Sequence, residues 1–226
     1  MHTNFKHALS FCLKGLSSLA ILALLLTPAQ SKADTVYTTL GSFNAATTGT
    51  TTVTFNGIAS PGGFVNETSP LALGGLTFTT GSTLFVIDPG FYASSYAGGG
   101  FLNADFSTPD ILTVTLPSVT AIGFNFGGLF SATGSFPVTL SDGFSTSISS
   151  LNSISSGSLD FVGFTSSTPL TSITLTLPDA PSYSALDNFV YGSAVTSGAV
   201  PEPATFGLML TGLLGTAAAV RRRMQS

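Results

Sequence analysis

Apolar and polar side chains alternate at every second position in two segments of the chain, residues 112–116 (LTVTL) and 173–177 (ITLTL). A period of two predicts β-strands, each with one apolar face and one face of threonine hydroxyl groups. A proline follows each segment, at Pro117 and Pro178. Because proline cannot donate a hydrogen bond to a strand ladder, we expect each strand to end there.

Eight further segments are rich in Thr, Val, Ile, Leu and Phe and are separated by Gly, Pro, Asn, Asp and Ser, a composition typical of strands and turns. They span residues 35–40, 51–55, 76–80, 83–87, 120–126, 136–140, 159–165 and 186–191. Residues that favour helices, such as Glu, Lys, Arg and Gln, are nearly absent between these segments. The pattern predicts an all-β domain of about ten short strands, an antiparallel two-sheet sandwich of jelly-roll type.

The N-terminus has the pattern of an export signal. Lysines at positions 6 and 14 accompany an apolar stretch at residues 16–26, and the small residues Ser31 and Ala33 follow it. Small residues at these two positions are what a signal peptidase reads. We therefore predict a signal peptide that is cleaved between Ala33 and Asp34, with cleavage after Ala29 as the second candidate.

Three elements follow one another at the C-terminus: a Pro-Glu-Pro segment, an uncharged apolar run over residues 204–220, and three arginines. The residues concerned are Val200, Pro201, Glu202, Pro203, Arg221, Arg222 and Arg223. The prolines keep the chain extended, as a processing enzyme requires. About seventeen apolar residues lie at the short end of what a transmembrane helix needs, and arginines are costly to translocate. We expect this helix to anchor the chain in a membrane, with the arginines in the cytoplasm.

This order of elements resembles the PEP-CTERM sorting signal of Gram-negative bacteria that secrete exopolysaccharide. The resemblance implies that an exosortase recognises the tail in the inner membrane and removes it near the Pro-Glu-Pro segment. The protein would then be anchored only transiently before its release towards the cell surface, the outer envelope or the extracellular matrix. Its expected partners are signal peptidase, the exosortase and the inner membrane.

The chain divides by composition into four parts. The segment before the tail consists of small, uncharged residues without a period, as in a flexible stalk. We predict a signal peptide at residues 1–33, a β-sandwich domain at 34–192, a stalk at 193–199 and the sorting and anchor segment at 200–226.

Charge and residue types exclude much chemistry. Residues 34–203 contain all ten acidic residues and no Lys, Arg, His or Cys, so their formal charge is −10. Such a surface repels phosphates, which excludes nucleic acid as a partner. Without imidazole, thiol or amine groups, the region can form neither a Ser-His-Asp nor a Cys-His site, nor a zinc site built on His or Cys. The only cysteine of the whole chain, Cys12, lies in the predicted signal peptide, so no disulfide is expected.

A pair of oxygen-bearing residues precedes an aromatic residue in the last predicted strand. Asp187 and Asn188 offer ligands of the kind that Ca²⁺ prefers, so they are candidates for a structural calcium site together with carboxylates from residues 103–110. The alternative is that either side chain only hydrogen-bonds the backbone of a neighbouring loop. No other cofactor is expected.

An aromatic-rich loop at residues 88–105 is the candidate glycan site. Phe91, Tyr92 and Tyr96 lie there among small and acidic residues, and an aromatic face can stack on the apolar face of a sugar ring. The alternative is that these aromatic residues cap one end of the sandwich.

The sequence predicts the export and sorting of the protein more clearly than a molecular activity. We expect an exported, non-catalytic protein of the cell surface or extracellular matrix that is associated with exopolysaccharide. Two alternatives stay open: a carbohydrate-binding module for a defined glycan, and a glycoside hydrolase with a carboxylate pair such as Asp105 with Asp110 or Asp160 with Asp187.

Overall fold

The computed structural model describes residues 34–104, 110–177 and 183–195. The predicted signal peptide, sorting segment and transmembrane helix all lie outside these residues. Within the part that the structure describes, no helix is both long and apolar enough to cross a membrane.

The described residues form an all-β domain, as predicted. Its named strands all pair antiparallel. They are β1 (Thr35–Tyr37), β2 (Thr47–Val53), β3 (Phe64–Glu67), β4 (Leu71–Leu73), β5 (Leu76–Thr80), β6 (Leu84–Ile87), β7 (Phe101–Ala104), β8 (Asp110–Gly128), β9 (Phe136–Leu140), β10 (Ser145–Ile148), β11 (Asp160–Leu177) and β12 (Ser184–Ala194). One short helix, α1 (Leu40–Ala45), and two 3-10 helices, Pro89–Tyr92 and Ile154–Ser156, complete them.

The two longest strands correct the expectation that Pro117 ends a strand. β8 continues through Pro117, and the next residue, Ser118, has a positive φ of 58°. The pairing of β8 with β11 shifts register opposite this point, between Leu170, which pairs with Val119, and Ser172, which pairs with Thr115. A bulge tolerates a residue that cannot donate to the ladder, so the proline marks a bend within one strand. Pro178 lies outside the described residues.

The prediction of two separate sheets is also corrected, because hydrogen bonds connect all twelve strands into one sheet. This sheet folds back on itself. Phe78 on β5 pairs with β8 at Val114, whereas Phe189 on β12 lies beside β8 near Phe124. Ten residues of extended strand span about 33 Å, yet the rings of Phe78 and Phe189 are 5.0 Å apart. The halves of the bent strands thus form two layers; the jelly-roll topology stays a prediction.

The main core lies between these two layers, and the alternating segments face it as predicted. Leu112, Val114, Ile173 and Leu175 are completely buried in it, whereas the intervening threonines remain partly accessible. Phenylalanines fill its centre, where the stacked rings of Phe124 and Phe189 lie 5.2 Å apart. A core of this kind stabilises the domain without a disulfide.

The last strand extends past the predicted domain boundary at Gly192. β12 pairs with β2 as far as Ala194, and the backbone N–H of Val195 donates to the Ala46 carbonyl oxygen at 2.8 Å. The first two residues of the predicted stalk therefore belong to the sheet.

Candidate functional site

A carboxylate at the end of β6 joins two parts of the outer surface. The Oδ1 atom of Asp88 accepts hydrogen bonds from the backbone N–H groups of Gly90, at 2.9 Å, and of Gly62, at 2.8 Å. The first bond caps the 3-10 helix Pro89–Tyr92, and the second holds the turn that leads into β3. Asp88 thereby fixes the position of this helix beside the start of β3.

This arrangement brings four aromatic rings into a continuous row, which we call the aromatic ridge: Phe64, Phe91, Tyr92 and Phe130. Ring centroids are 5.1 Å apart for Phe64 and Phe91, 5.0 Å for Phe91 and Tyr92, and 5.3 Å for Tyr92 and Phe130. The three phenylalanines remain 48%, 45% and 53% exposed, in the same order. Because contiguous exposed apolar side chains are candidates for an interaction surface, the ridge is the candidate site of the described residues.

The sequence prediction identified two members of this ridge and missed the other two. Phe91 and Tyr92 lie in the aromatic-rich loop, as expected. Phe64 lies on β3, which was not predicted as a strand, and Phe130 lies in the segment after β8. Recognition of β3 would have pointed to Phe64, because an apolar side chain on the outward face of an edge strand needs an explanation.

The loop that carries the ridge is packed on a second, smaller core. This core consists of Ile87, Phe101, Leu129, Ile154 and Ala185, and Tyr92 and Tyr96 pack against it. Phe101, which the sequence placed in the loop, is completely buried on β7. Of the ridge residues, Tyr92 therefore packs directly against this core.

Tyr96, the third predicted glycan contact, makes a hydrogen bond within the protein. Its hydroxyl group donates to Oδ2 of Asp187 at 2.7 Å, across 91 positions of sequence. Asp187 is completely buried and also accepts hydrogen bonds from Asn188, through the backbone N–H at 2.7 Å and the side-chain Nδ2 at 3.1 Å. Asn188 has a positive φ of 48°, at a register shift between β12 and β8. Tyr96 thus connects the loop to β12 and lies outside the row of ring contacts that defines the ridge, and its contact with a glycan stays a prediction.

Burial determines the electrostatics of this contact. It raises the pKa of Asp187 to about 6, although the hydrogen bonds from Tyr96 and from the backbone of Asn188 act in the opposite direction. Burial also raises the pKa of Tyr96, and the neighbouring Asp187 carboxylate raises it further. Because the domain contains no basic residue, no protein cation compensates the Asp187 charge.

We expect the contribution of Asp187 to the stability of the domain to fall as the pH rises from 4 to 7. The folded pKa of Asp187 lies above its ordinary value of 3.8, so the folded state binds more protons in this range. The contribution of Asp187 is then largest below pH 3.8 and falls until the pH passes about 6, by roughly 3 kcal/mol. Urea unfolding of the secreted protein at several pH values measures the slope. In Asp187→Asn this contribution is absent, so parallel curves for the two proteins would contradict the assignment.

The predicted calcium ligands have protein partners. Both carboxylate oxygens of Asp187 accept hydrogen bonds, and one donor is the Tyr96 side chain rather than a loop backbone. Within the described residues, no group of three or more His, Cys, Asp or Glu could hold a metal ion. Asp105 lies outside the described residues, and calcium binding by Asp187 and Asn188 stays a prediction.

Most of the other predicted site residues lie outside the described part of the chain: Ala33 of the cleavage site, the Val200 to Pro203 segment, and Arg221, Arg222 and Arg223. Asp34, on the other side of the predicted cleavage site, is the first residue that the structure describes. Comparison with known families nevertheless identifies the tail: residues 199–223 match the PEP-CTERM protein-sorting motif. This match confirms the resemblance on which the sorting prediction depends. No curated protein matches the chain.

Solved structures with similar strand arrangements include carbohydrate-active proteins. The chain is 13% identical to an exo-β-1,3-galactanase from Phanerochaete chrysosporium, with a TM-score of 0.37 over 50% of this chain and 27% of the galactanase. It is also 13% identical to the family 11 carbohydrate-binding module from Clostridium thermocellum, with a TM-score of 0.33 over 58% and 96%. The chain spans about a quarter of the galactanase. All these TM-scores lie below 0.5, so the similarities define neither topology nor function.

Proposed function

We propose that this protein is exported, is sorted through its PEP-CTERM motif, and binds neutral exopolysaccharide at the cell surface or in the extracellular matrix without catalysing a reaction. The observation that carries this proposal is the aromatic ridge. Three phenylalanines about half exposed, in a row of rings 5.0–5.3 Å apart, form a surface that no other described part of the chain covers.

A neutral glycan fits this surface better than other partners from the envelope. A sugar ring presents an apolar C–H face that an aromatic ring can cover, and a rim of hydroxyl groups that stays hydrated. The formal charge of −10 on residues 34–203 repels anionic lipids and acidic polysaccharides. The charge and the aromatic surface together favour a polymer of uncharged sugars.

The absence of catalysis is supported by the positions of two carboxylates that the sequence had offered as a pair. Asp187 is completely buried, so no substrate reaches it. Asp160 accepts hydrogen bonds from the backbone N–H of Leu151 at 2.7 Å and from the side chain of Asn152 at 2.5 Å. Each carboxylate therefore already has a structural role. Of the other proposed pair, Asp105 lies outside the described residues.

Removal of the ridge should abolish retention on a neutral polysaccharide. Each stacked ring contributes about 1 kcal/mol, so Phe91→Ala or Phe130→Ala should weaken binding roughly fivefold, and the double variant more than tenfold. Affinity electrophoresis of the secreted protein in gels that contain soluble glucans, galactans, mannans or alginate measures this. We expect retention by at least one neutral polymer and none by alginate.

Leu151→Ala serves as the matched control, because this side chain is 89% exposed but lies outside the ridge, between β10 and β11. It should bind like the wild type. Retention of the double Phe variant at wild-type strength would exclude the ridge. If no neutral polymer retains the wild type, or if the ridge variants instead abolish a dimer in analytical ultracentrifugation, the proposed function is wrong. Retention by one glycan of the panel alone would favour a carbohydrate-binding module for a defined glycan.

A further inference from the structure

Polar residues continue the aromatic ridge along the edge strand β3. Phe64 and Asn66 are both exposed and point to the same side of the strand, because side chains two residues apart share a face. Asn66 lies directly opposite Phe85 on β6, and the Phe85 ring is 6.0 Å from that of Phe64. The aromatic surface and the amide of Asn66 are therefore immediate neighbours.

Beyond Asn66 the surface sinks into a hollow of about 450 Å³. Two segments form it, the end of β3 with the residues that follow, and the turn from β5 to β6. The lining residues are Asn66, Glu67, Thr68, Ser69, Thr80, Gly81, Ser82 and Thr83. All of these residues except Gly81 carry an amide, a carboxylate or a hydroxyl group on the side chain.

The two segments are tied by their own hydrogen bonds. The hydroxyl group of Ser69 donates to the carbonyl oxygen of Thr80 at 2.9 Å and accepts from its backbone N–H at 3.0 Å. In contrast, the side chains of Asn66, Glu67 and Thr83 make no hydrogen bond to any residue that the structure describes. The hollow thus has a fixed frame and side chains that are available to a ligand.

This chemistry selects the same class of ligand as the ridge. An amide donates and accepts, hydroxyl groups do both, and a carboxylate accepts from hydroxyl groups, so the hollow matches a polyhydroxylated molecule. The carboxylate of Glu67 repels an acidic sugar. From Phe64 to Glu67, β3 adds about 10 Å to a ridge that already has three ring-to-ring steps of 5.0–5.3 Å. The combined surface is therefore longer than a single sugar ring.

We infer that the hollow is a second, polar subsite for the glycan that stacks on the ridge, so that the protein binds an internal stretch of a neutral polysaccharide along β3. The inference rests on the proposed function. It adds that the ligand is an extended chain of several sugar rings rather than a monosaccharide or a chain end.

The test uses the secreted protein, the neutral polysaccharide that the wild type retains most strongly, and oligosaccharides of two, four and six rings cut from that polymer. Isothermal titration calorimetry should show the affinity rising about tenfold or more from two rings to six. Asn66→Ala should weaken binding of the six-ring oligosaccharide roughly fivefold, the effect of one lost hydrogen bond, and change binding of the two-ring one less than twofold. Asn44→Ala, at an exposed position of α1, should bind like the wild type.

Two results would overturn the inference while the proposed function stands: an affinity independent of length, or a six-ring affinity that Phe91→Ala lowers and Asn66→Ala does not. Failure of the wild type to bind any neutral polymer would instead overturn both. A loss of melting temperature in Asn66→Ala would identify misfolding. In that case two other variants replace it: Thr83→Ala, on the turn from β5 to β6, and Glu67→Gln, on the opposite face of β3 from Asn66. At least one of them should weaken binding of the six-ring oligosaccharide more than binding of the two-ring one. The inference is wrong if neither does.

Discussion

Leu175→Asp should destabilise the domain severely, whereas Thr174→Asp should have a small effect. Leu175 is completely buried in the main core, in the segment of β11 that pairs with β8 and β9. A carboxylate there finds no cation, because the domain contains no basic residue. The loss of a buried leucine and the desolvated charge together cost about 3–5 kcal/mol, a large part of a typical domain's stability of about 5–15 kcal/mol.

The adjacent position provides the control. Thr174 lies on the opposite face, partly accessible, with its hydroxyl group 3.5 Å from that of Thr113. A carboxylate at this position can remain hydrated, so we expect a cost of at most about 1 kcal/mol. Urea unfolding and thermal melting of both variants measure the difference. Equal destabilisation would show that the face or the register of β11 is wrong.

Glu202→Ala should leave the full-length protein in the inner membrane. The PEP-CTERM match covers this residue, and we expect the Pro-Glu-Pro segment to be the element that the exosortase recognises. Truncation before residue 204 should have the opposite result, because it removes the apolar run and releases soluble protein. Replacement of the three arginines at 221–223 by serine should weaken anchoring without a change in the domain.

Cell fractionation with mass measurement of each pool distinguishes these outcomes. An epitope is best inserted within residues 196–199. An insertion further upstream, before Ala194, would interrupt the pairing of β12 with β2. The host should be tested with and without its exosortase. An intact tail on the wild-type protein in both hosts would show that the tail is only an anchor.

Much of the β architecture was predictable, because strand formation has a local signature. The segments 76–80 and 136–140 coincide with β5 and β9 at both ends. The strands that escaped prediction, β3, β4, β7 and β10, are three or four residues long, too short for a period of two to stand out. The hairpin of β4 and β5 did have a signal in the sequence, the pair Gly74 and Gly75, because two adjacent glycines favour a tight turn between strands. In the structure both have a positive φ, of 56° and 82°.

The bends were not predictable in the same way. A proline at the end of an alternating segment normally marks the end of a strand, and at Pro117 the tertiary fold overrides that rule. The strand continues because the second half of β8 has its own partners: Phe124 pairs with Val162 on β11, and Phe126 with Leu186 on β12. Such pairing depends on residues far away in the sequence, which a local pattern does not contain.

The features of the candidate site also separate into those that local sequence predicts and those that depend on distant contacts. The sequence alone determined the ordered elements of the sorting tail, the absence of basic and thiol groups, and the aromatic residues at 91 and 92, because each depends only on residue type or close spacing. Only the tertiary structure decided that Phe64 and Phe130 complete the ridge and that Tyr96 hydrogen-bonds Asp187. These contacts join segments far apart in the chain. They exist because burial and strand register select one arrangement among many that the same composition allows.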